Sequence, residues 1–233
     1  MILVVNGDSH AAAAEATNTF CFAEDESKYF YMGRAPHPDN LRASWGKKLS
    51  EIYNSKFYCL AESASSNDRI IRTTKNWINN YPNCDEILLV IGWSTWERQE
   101  WLIDGVYYQV NASGIDSVPL AYQKKYKDFI ANVNLQQVAV AAHASIWKFH
   151  NELKEKKIKH LFFNSNNDFS RVRDKKDWGV HYISPYDPNG TYHNWLIANG
   201  FQTVSPSSWH FGQQAHSAWA KNILQYLLAN NLY

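Results

Sequence analysis

Four consecutive large apolar residues, Ile2 to Val5, give way at once to Asn6-Gly-Asp-Ser-His10 and then to the alanine-rich Ala11 to Ala16. A short unbroken apolar run predicts a strand buried on both faces, and the alanines have high helix propensity, so the expected order is strand, turn, helix. That order places Ser9 at a strand-to-helix junction, where helix-terminal N–H groups lack partners and Ser9 caps the helix or sits beside an anion. Phe20 to Asn40 is polar and broken by Gly33, Pro36 and Pro38, which reads as a long loop or insertion. After Ser44, residues Trp45, Leu49, Ile52 and Tyr53 share one helix face, and Lys56 to Ala61 forms a second strand.

A cluster of small polar residues, Ala61 to Asp68, then leads into a helix whose apolar face holds Ile70, Ile71, Trp77 and Ile78. The third strand, Glu86 to Ile91, ends in Gly92-Trp-Ser-Thr95. Leu102 to Pro119 has no clear period and is expected as a surface excursion. Leu135, Val138, Ala139, Ala142, Ile146, Phe149 and Leu153 follow at spacings of three and four, a helix closed by the basic Lys154 to Lys159. His143 and His150 of this helix read as packing or surface residues. His160 to Asn164 is a fourth strand, followed by an irregular region with the turn signal Asp187-Pro-Asn-Gly190. The last helix carries the stripe Ala215, Trp219, Ile223, Tyr226 and Leu227. Alternating strands and helices predict a three-layer α/β fold with right-handed crossovers. In such a sheet the loops at the carboxyl ends of the strands gather on one edge, so Ser9, Ala64 and Ser94 are expected to face one crevice.

At 233 residues and 45% hydrophobic content the chain can bury one core, and a single domain over 1–233 is expected. A formal net charge of +1 excludes a general electrostatic attachment to nucleic acid or to an anionic membrane. No charged start followed by an apolar segment, and no bilayer-length apolar stretch, is present, so neither signal peptide nor membrane span is read and a cytoplasmic protein is expected. Cys21, Cys59 and Cys84 are odd in number without a CxxC spacing, which predicts reduced thiols rather than a disulfide framework or zinc site. Aromatics reach 15%, with ten tryptophans; packing is the first reading of them and sugar stacking the second.

Chemistry enters near the C-terminus. His210 stands just before the last helix, where a loop can offer its imidazole to the crevice. A serine hydroxyl is a poor nucleophile until a base takes its proton, and histidine suits that task near neutral pH, so Ser9 and His210 are candidate partners. Asp8 is expected to accept backbone hydrogen bonds around its turn. Arg98 either binds an anionic group or pairs with Asp8, Asp68 or Glu97; Asn67 either donates its amide to the site or caps a helix; His216 is expected to pack.

Gly7-Asp8-Ser9 at the first strand end, the small residues after the second, Gly92-x-Ser94 after the third and His210-x-Gly-x-x-Ala-His216-x-x-Trp-Ala together resemble the SGNH (GDSL-type) hydrolase superfamily. Ser63-Ala-Ser-Ser-Asn-Asp-Arg-Ile70 and Gly92-Trp-Ser-Thr-Trp-Glu-Arg98 are similar, more narrowly, to SGNH-like proteins of tailed phages and their bacterial hosts. The resemblance implies a flavodoxin-like parallel sheet of about five strands and a cofactor-free, metal-free serine esterase acting on small acyl esters, often O-acetyl groups of carbohydrates. It makes Ser9 the nucleophile, His210 the base, and Ser9, Ala64 and Ser94 the oxyanion hole. Ala64 stands where the family has glycine, Ser94 where it has asparagine, and Ser207 where it has the acid three residues before the histidine. Three arrangements follow for His210: a Ser–His dyad, an acid supplied from elsewhere with Asp168, Asp174, Asp177 and Asp187 as candidates, or an inactive descendant serving as a binding or virion-associated module. Acyl and alcohol specificity and oligomeric state are left open by the sequence.

Overall fold

The apolar runs become β1 (Ile2–Asn6), β2 (Lys56–Cys59), β3 (Ile87–Trp93) and β6 (Lys159–Asn164), which form one parallel sheet in the order β2-β1-β3-β6. The computed structural model describes residues 1–24, 32–81, 86–112 and 118–232. In β1, Ile2 lies between Lys56 of β2 and Ile87 of β3, and Leu88 of β3 lies beside Lys159 of β6. Alternate side chains of the central strands face opposite layers, as the pleat requires. Leu3, Val5, Leu88 and Val90 pack against Trp45 and Leu49 of α2 (Trp45–Ile52) and Trp219, Ile223 and Leu227 of α7 (Gln213–Ala229). Ile2, Val4, Leu89 and Ile91 pack against Ile70 and Ile78 of α3 (Asn67–Asn79) and Ile146, Phe149 and Leu153 of α5 (Leu135–Glu155). The result is the three-layer α/β arrangement that the alternating pattern predicts.

Four strands build this sheet where about five are expected. The fifth position is held by Tyr182 alone, which bridges in parallel to Phe162 through Phe162 N–H to His181 O at 2.8 Å and Ile183 N–H to Phe162 O at 2.9 Å. Pro185, which has no N–H, follows closely and stops the ladder.

Three further stretches differ from expectation. The first part of the supposed excursion, Leu102 to Val110, belongs to an antiparallel hairpin, β4 (Gln99–Ile103) and β5 (Val106–Val110), which turns on Asp104 and Gly105 at φ +50° and +82°, while residues 113–117 lie outside the described residues. Two left-handed residues match the right-handed twist of a hairpin, and Asp-Gly is the dipeptide that tolerates them. Arg72 of α3 fixes the hairpin: its Nε and a terminal nitrogen donate to Glu100 at 2.7 and 2.9 Å, and its guanidinium lies 3.9 Å over the Tyr107 ring. Short helices also form: α1 (Pro38–Ala43) begins inside the expected loop and α6 (Tyr192–Ala198) lies in the region read as irregular, while α4 (Gln123–Asn132) precedes α5.

The third difference matters most. Ala11 to Ala16 is a chain of turns, with Ala12 N–H bonded to Asp8 O at 2.9 Å and Ala14 N–H to Ser9 O at 2.9 Å, while Ala13 and Glu15 are left-handed at φ +56° and +61°. A run this short gains little from helix propensity. Burial decides instead, because Ala11 and Ala12 fill the core on the α2–α7 side and Ala13 and Ala16 pack on Ala43 of α1. No helix among the described residues is long and apolar enough to cross a membrane. Cys59 ends β2 with a free thiol, and Cys84 lies outside the described residues.

Candidate functional site

The loop leaving β1 is compressed against β3. A Cβ on Gly7 (φ +153°) would stand 2.7 Å from Ala11 Cβ and 2.8 Å from Gly92 O, so glycine alone permits this approach. Asp8 follows, fully buried, with each carboxylate oxygen in use. Oδ1 accepts from His10 N–H at 3.0 Å and lies 3.1 Å from His10 Nδ1; Oδ2 accepts from the Ser94 hydroxyl at 3.1 Å and from Arg98 at 3.2 Å. Burial alone would push the Asp8 carboxyl up, but the charges of His10 and Arg98 with the hydrogen bonds from His10 hold it well below the ordinary carboxylate range. Asp8 therefore does the backbone work expected of it and also ties the first loop to the third.

Ser94 and Asn67 are committed elsewhere than the expected oxyanion role. Ser94 gives its hydroxyl proton to Asp8, and its backbone N–H and carbonyl are clamped by the Asn67 amide at 2.9 and 3.1 Å. The cap of α3 is Ser66, whose hydroxyl accepts from Arg69 N–H at 3.2 Å, so Asn67 is a clamp on the third loop rather than a cap. Arg98 takes the ion pair with Asp8 and also reaches Ser94 Oγ at 3.0 Å.

The second loop is drawn to the first by Leu60 N–H to Val5 O at 2.7 Å and Glu62 N–H to Gly7 O at 3.3 Å. Ala64 there adopts φ +67°, a conformation that costs a non-glycine residue about 1–2 kcal/mol. Among the described residues, no acceptor takes the backbone N–H of Ser9 or of Ala64.

Against this edge lies the loop that carries His210. The Ser9 hydroxyl makes no hydrogen bond to a described residue, and Ser9 is 5% exposed. Its neighbours bind the two loops together. His10 Nε2 lies 3.2 Å from the carbonyl of Trp209, and the His10 and His210 rings are edge to face at 5.5 Å. With the Asp8 carboxylate at Nδ1 and the Trp209 carbonyl at Nε2, the His10 ring bridges the first loop to the last.

His210 itself meets a residue that the sequence did not single out. Its Nδ1 is 2.5 Å from Glu15 Oε2, and the same oxygen accepts from the Ser208 hydroxyl at 2.6 Å. Ser208 Oγ in turn accepts from His210 N–H at 3.0 Å, closing a ring of three residues. Burial pushes the Glu15 carboxyl up, but its bonds from Ser208 and His210 outweigh that and hold it below its ordinary value. Burial, with the nearby His10, brings the His210 imidazole below its ordinary value against the opposing pull of Glu15 and Asp8. Ser207 is exposed and its hydroxyl lies 3.3 Å from that of Ser205, away from the ring. The four candidate aspartates are used locally: Asp168, Asp177 and Asp187 accept from backbone N–H groups two residues on, and Asp174 pairs with Lys176 at 2.5 Å.

Glu15 was legible only as the sole acidic residue between Asp8 and Glu24. Its left-handed backbone accompanies the contact with His210. His216 packs as expected, buried with Nδ1 3.4 Å from Trp45 N, and burial pushes its imidazole down to about 3. No group of three or more His, Cys, Asp or Glu among the described residues is arranged to hold a metal ion.

Fold and loops together define an α/β protein with a serine, two histidines and two carboxylates gathered at the carboxyl edge of a parallel sheet. The model of a family of unknown function, DUF6071, matches residues 37–134, a segment that holds Ala64, Ser94 and Arg98 but neither Ser9 nor His210. No curated protein matches the sequence. Among solved structures the chain is similar to TesA, with 11% identity, 100% of both chains covered and a TM-score of 0.48. It is similar also to the psychrotrophic esterase EstA from Pseudoalteromonas sp., with 10% identity, 98% of this chain and 97% of that one covered and a TM-score of 0.47. A third is the acetyl xylan esterase Est2A from the rumen bacterium Butyrivibrio proteoclasticus, with 10% identity, 99% of this chain and 64% of that one covered and a TM-score of 0.45. Likeness at this level does not carry activity from one protein to another.

Proposed function

We propose that the protein is a serine esterase in which Ser9 is the nucleophile and His210 the general base. The observation that carries this reading is the bonding of the two loops around both side chains: His10 to the Trp209 carbonyl on one side, and Glu15 to Ser208 and His210 on the other. With Nδ1 taken by a carboxylate, Nε2 is left as the nitrogen that accepts the serine proton. Serine–histidine bonds commonly tighten only when substrate is bound. Ser9 Oγ then attacks the acyl carbonyl while its proton moves to His210 Nε2. The tetrahedral oxyanion is received by the backbone N–H groups of Ser9 and Ala64; a preorganised donor of this kind is worth on the order of 3 kcal/mol. Collapse expels the alcohol, protonated by His210, and water activated by the same imidazole releases the acid and restores Ser9.

Ser94 buttresses Asp8 in this scheme rather than serving the oxyanion. Small acyl esters, O-acetyl groups on carbohydrates among them, suit the site because Trp209, 64% exposed and packed on His193 at 5.1 Å between ring centres, stands directly beside His210. An exposed indole offers an apolar face to a sugar ring. The test is hydrolysis of a nitrophenyl acetate by the intact protein, with Ser9→Ala and His210→Gln alongside. Activity lost in both variants supports the reading. A folded protein inactive on short-chain esters, or activity that survives Ser9→Ala, overturns it in favour of a non-catalytic binding module.

A further inference from the structure

We infer that Glu15, carried by the same loop as Ser9, is the positioning carboxylate of His210 and replaces the acid that Ser207 lacks. The inference rests on the esterase reading for its catalytic consequence but on separate geometry for its substance. Glu15 Oε2 lies 2.5 Å from His210 Nδ1, the ring nitrogen that points away from an attacking serine in a Ser–His pair. Ser208 donates to the same carboxylate oxygen at 2.6 Å and accepts from the His210 backbone at 3.0 Å, so the carboxylate is itself held from the loop it serves.

The backbone supports the assignment independently. Ala13 and Glu15 both take left-handed angles in a stretch whose composition favours a helix, and the flanking Ala11, Ala12, Ala13 and Ala14 are all within 1% of full burial. Unfavourable backbone conformations persist where packing over-determines them, and they cluster where a side chain must be aimed. Here the buried alanines fix the loop and the left-handed Glu15 turns its carboxylate towards His210. Nucleophile and orienting acid therefore sit on one buried loop, with the base packed against it from the last loop. In the usual serine–histidine layout of the resembled superfamily, acid and base share the C-terminal loop.

A carboxylate at Nδ1 fixes the tautomer and stabilises the imidazolium that forms when the serine proton is taken. Removing its charge while keeping its shape affects proton transfer and leaves ester binding in place. The experiment compares the intact protein with Glu15→Gln, Glu15→Asp and Ser208→Ala by pH-resolved kinetics and by NMR titration of the His210 ring. Glu15→Gln is expected to lower kcat by about 10²-fold or more with KM changed by less than about threefold. Because Glu15 raises the proton affinity of His210 against burial and the charge of His10, with Asp8 and His216 also near the ring, its neutralisation moves both the acid limb and the NMR titration of His210 to lower pH. Glu15→Asp recovers part of kcat, and Ser208→Ala lowers it less than Glu15→Gln does. Unchanged kcat in Glu15→Gln, or an unmoved His210 titration in a folded variant, overturns the inference. An inactive wild-type protein whose His210 titration still moves in Glu15→Gln overturns the esterase reading and leaves the anchoring of His210 by Glu15 standing.

Discussion

Two groups of histidines lie at opposite ends of the parallel sheet, and they differ in what faces them. At the carboxyl edge, His10 and His210 each face a carboxylate, Asp8 and Glu15. At the amino end of β6, His150, His160 and His181 face one another and the rings of Trp147 and Trp178. There the hydrogen bonds link ring to ring and ring to backbone. His160 Nδ1–H donates to Ile158 O at 2.8 Å, leaving its Nε2 to accept from His150 Nδ1–H at 2.9 Å, and His181 Nδ1–H donates to His160 O at 3.0 Å. Burial first, then the neighbouring charges of His181 and Lys154, push His150 down to about 4; burial takes His160 to about 3. Burial without a carboxylate makes a histidine a packing residue that resists protonation. At the loop edge burial lowers His210 too, but Glu15 and Asp8 pull it back up and leave its imidazole available as a base.

The comparison is tested most severely at the carboxyl edge. Ser9→Ala is expected to reduce ester turnover by at least about 10³-fold while the fold persists, since the hydroxyl makes no bond to a described residue. Steady-state kinetics with circular dichroism checks this, and unchanged stability with unchanged turnover would remove the chemical distinction between the two clusters.

The next effect belongs to the other end. His150 and His160 bind protons less readily in the folded chain than in the unfolded one, so their contribution to stability is complete above about pH 6.5. It is lost as pH falls towards 4, where the unfolded state takes up protons that the folded state refuses. The wild-type protein is therefore expected to lose stability progressively over that window from this cluster. Replacing both by phenylalanine flattens the loss in denaturant titrations at pH 7 and pH 4.5 and leaves the catalytic pH profile where it was. A profile that moves with the distal pair would show that the two ends are coupled.

Smaller effects sharpen the picture at the lip of the site. Trp209→Ala is expected to raise KM for an acetylated sugar about tenfold more than for a nitrophenyl acetate, because only the former offers a ring to the exposed indole. Equal KM changes for the two substrates would separate Trp209 from alcohol recognition. Ser207→Asp is expected to change turnover by less than about threefold, since Ser207 faces Ser205 and the orienting place beside His210 is filled by Glu15. A large gain there would show that Glu15 leaves the ring incompletely oriented.

The strands of the sheet and the two long amphipathic helices were legible because each follows from local periodicity: an unbroken run for β1, β3 and β6, and three-four spacing for α5 and α7. The hairpin was missed: its turn signal, Asp104-Gly105, sits in a polar stretch whose lack of a clear period reads as a surface excursion. The placement of Ser9, Ala64 and Ser94 at strand ends followed from the order of elements. The partners of Ser94 did not, because a serine beside a buried aspartate donates to it rather than to a substrate.

By itself the sequence determined the parallel sheet, the loops that meet at its carboxyl edge, and the presence there of a serine and a histidine. Tertiary structure decided which carboxylate serves the histidine. Helix propensity in Ala11 to Ala16 amounts to a few tenths of a kcal/mol per residue, and burial of four alanine side chains in the core outweighs it. The loop is thereby held with Ala13 and Glu15 left-handed, and the Glu15 carboxylate meets His210.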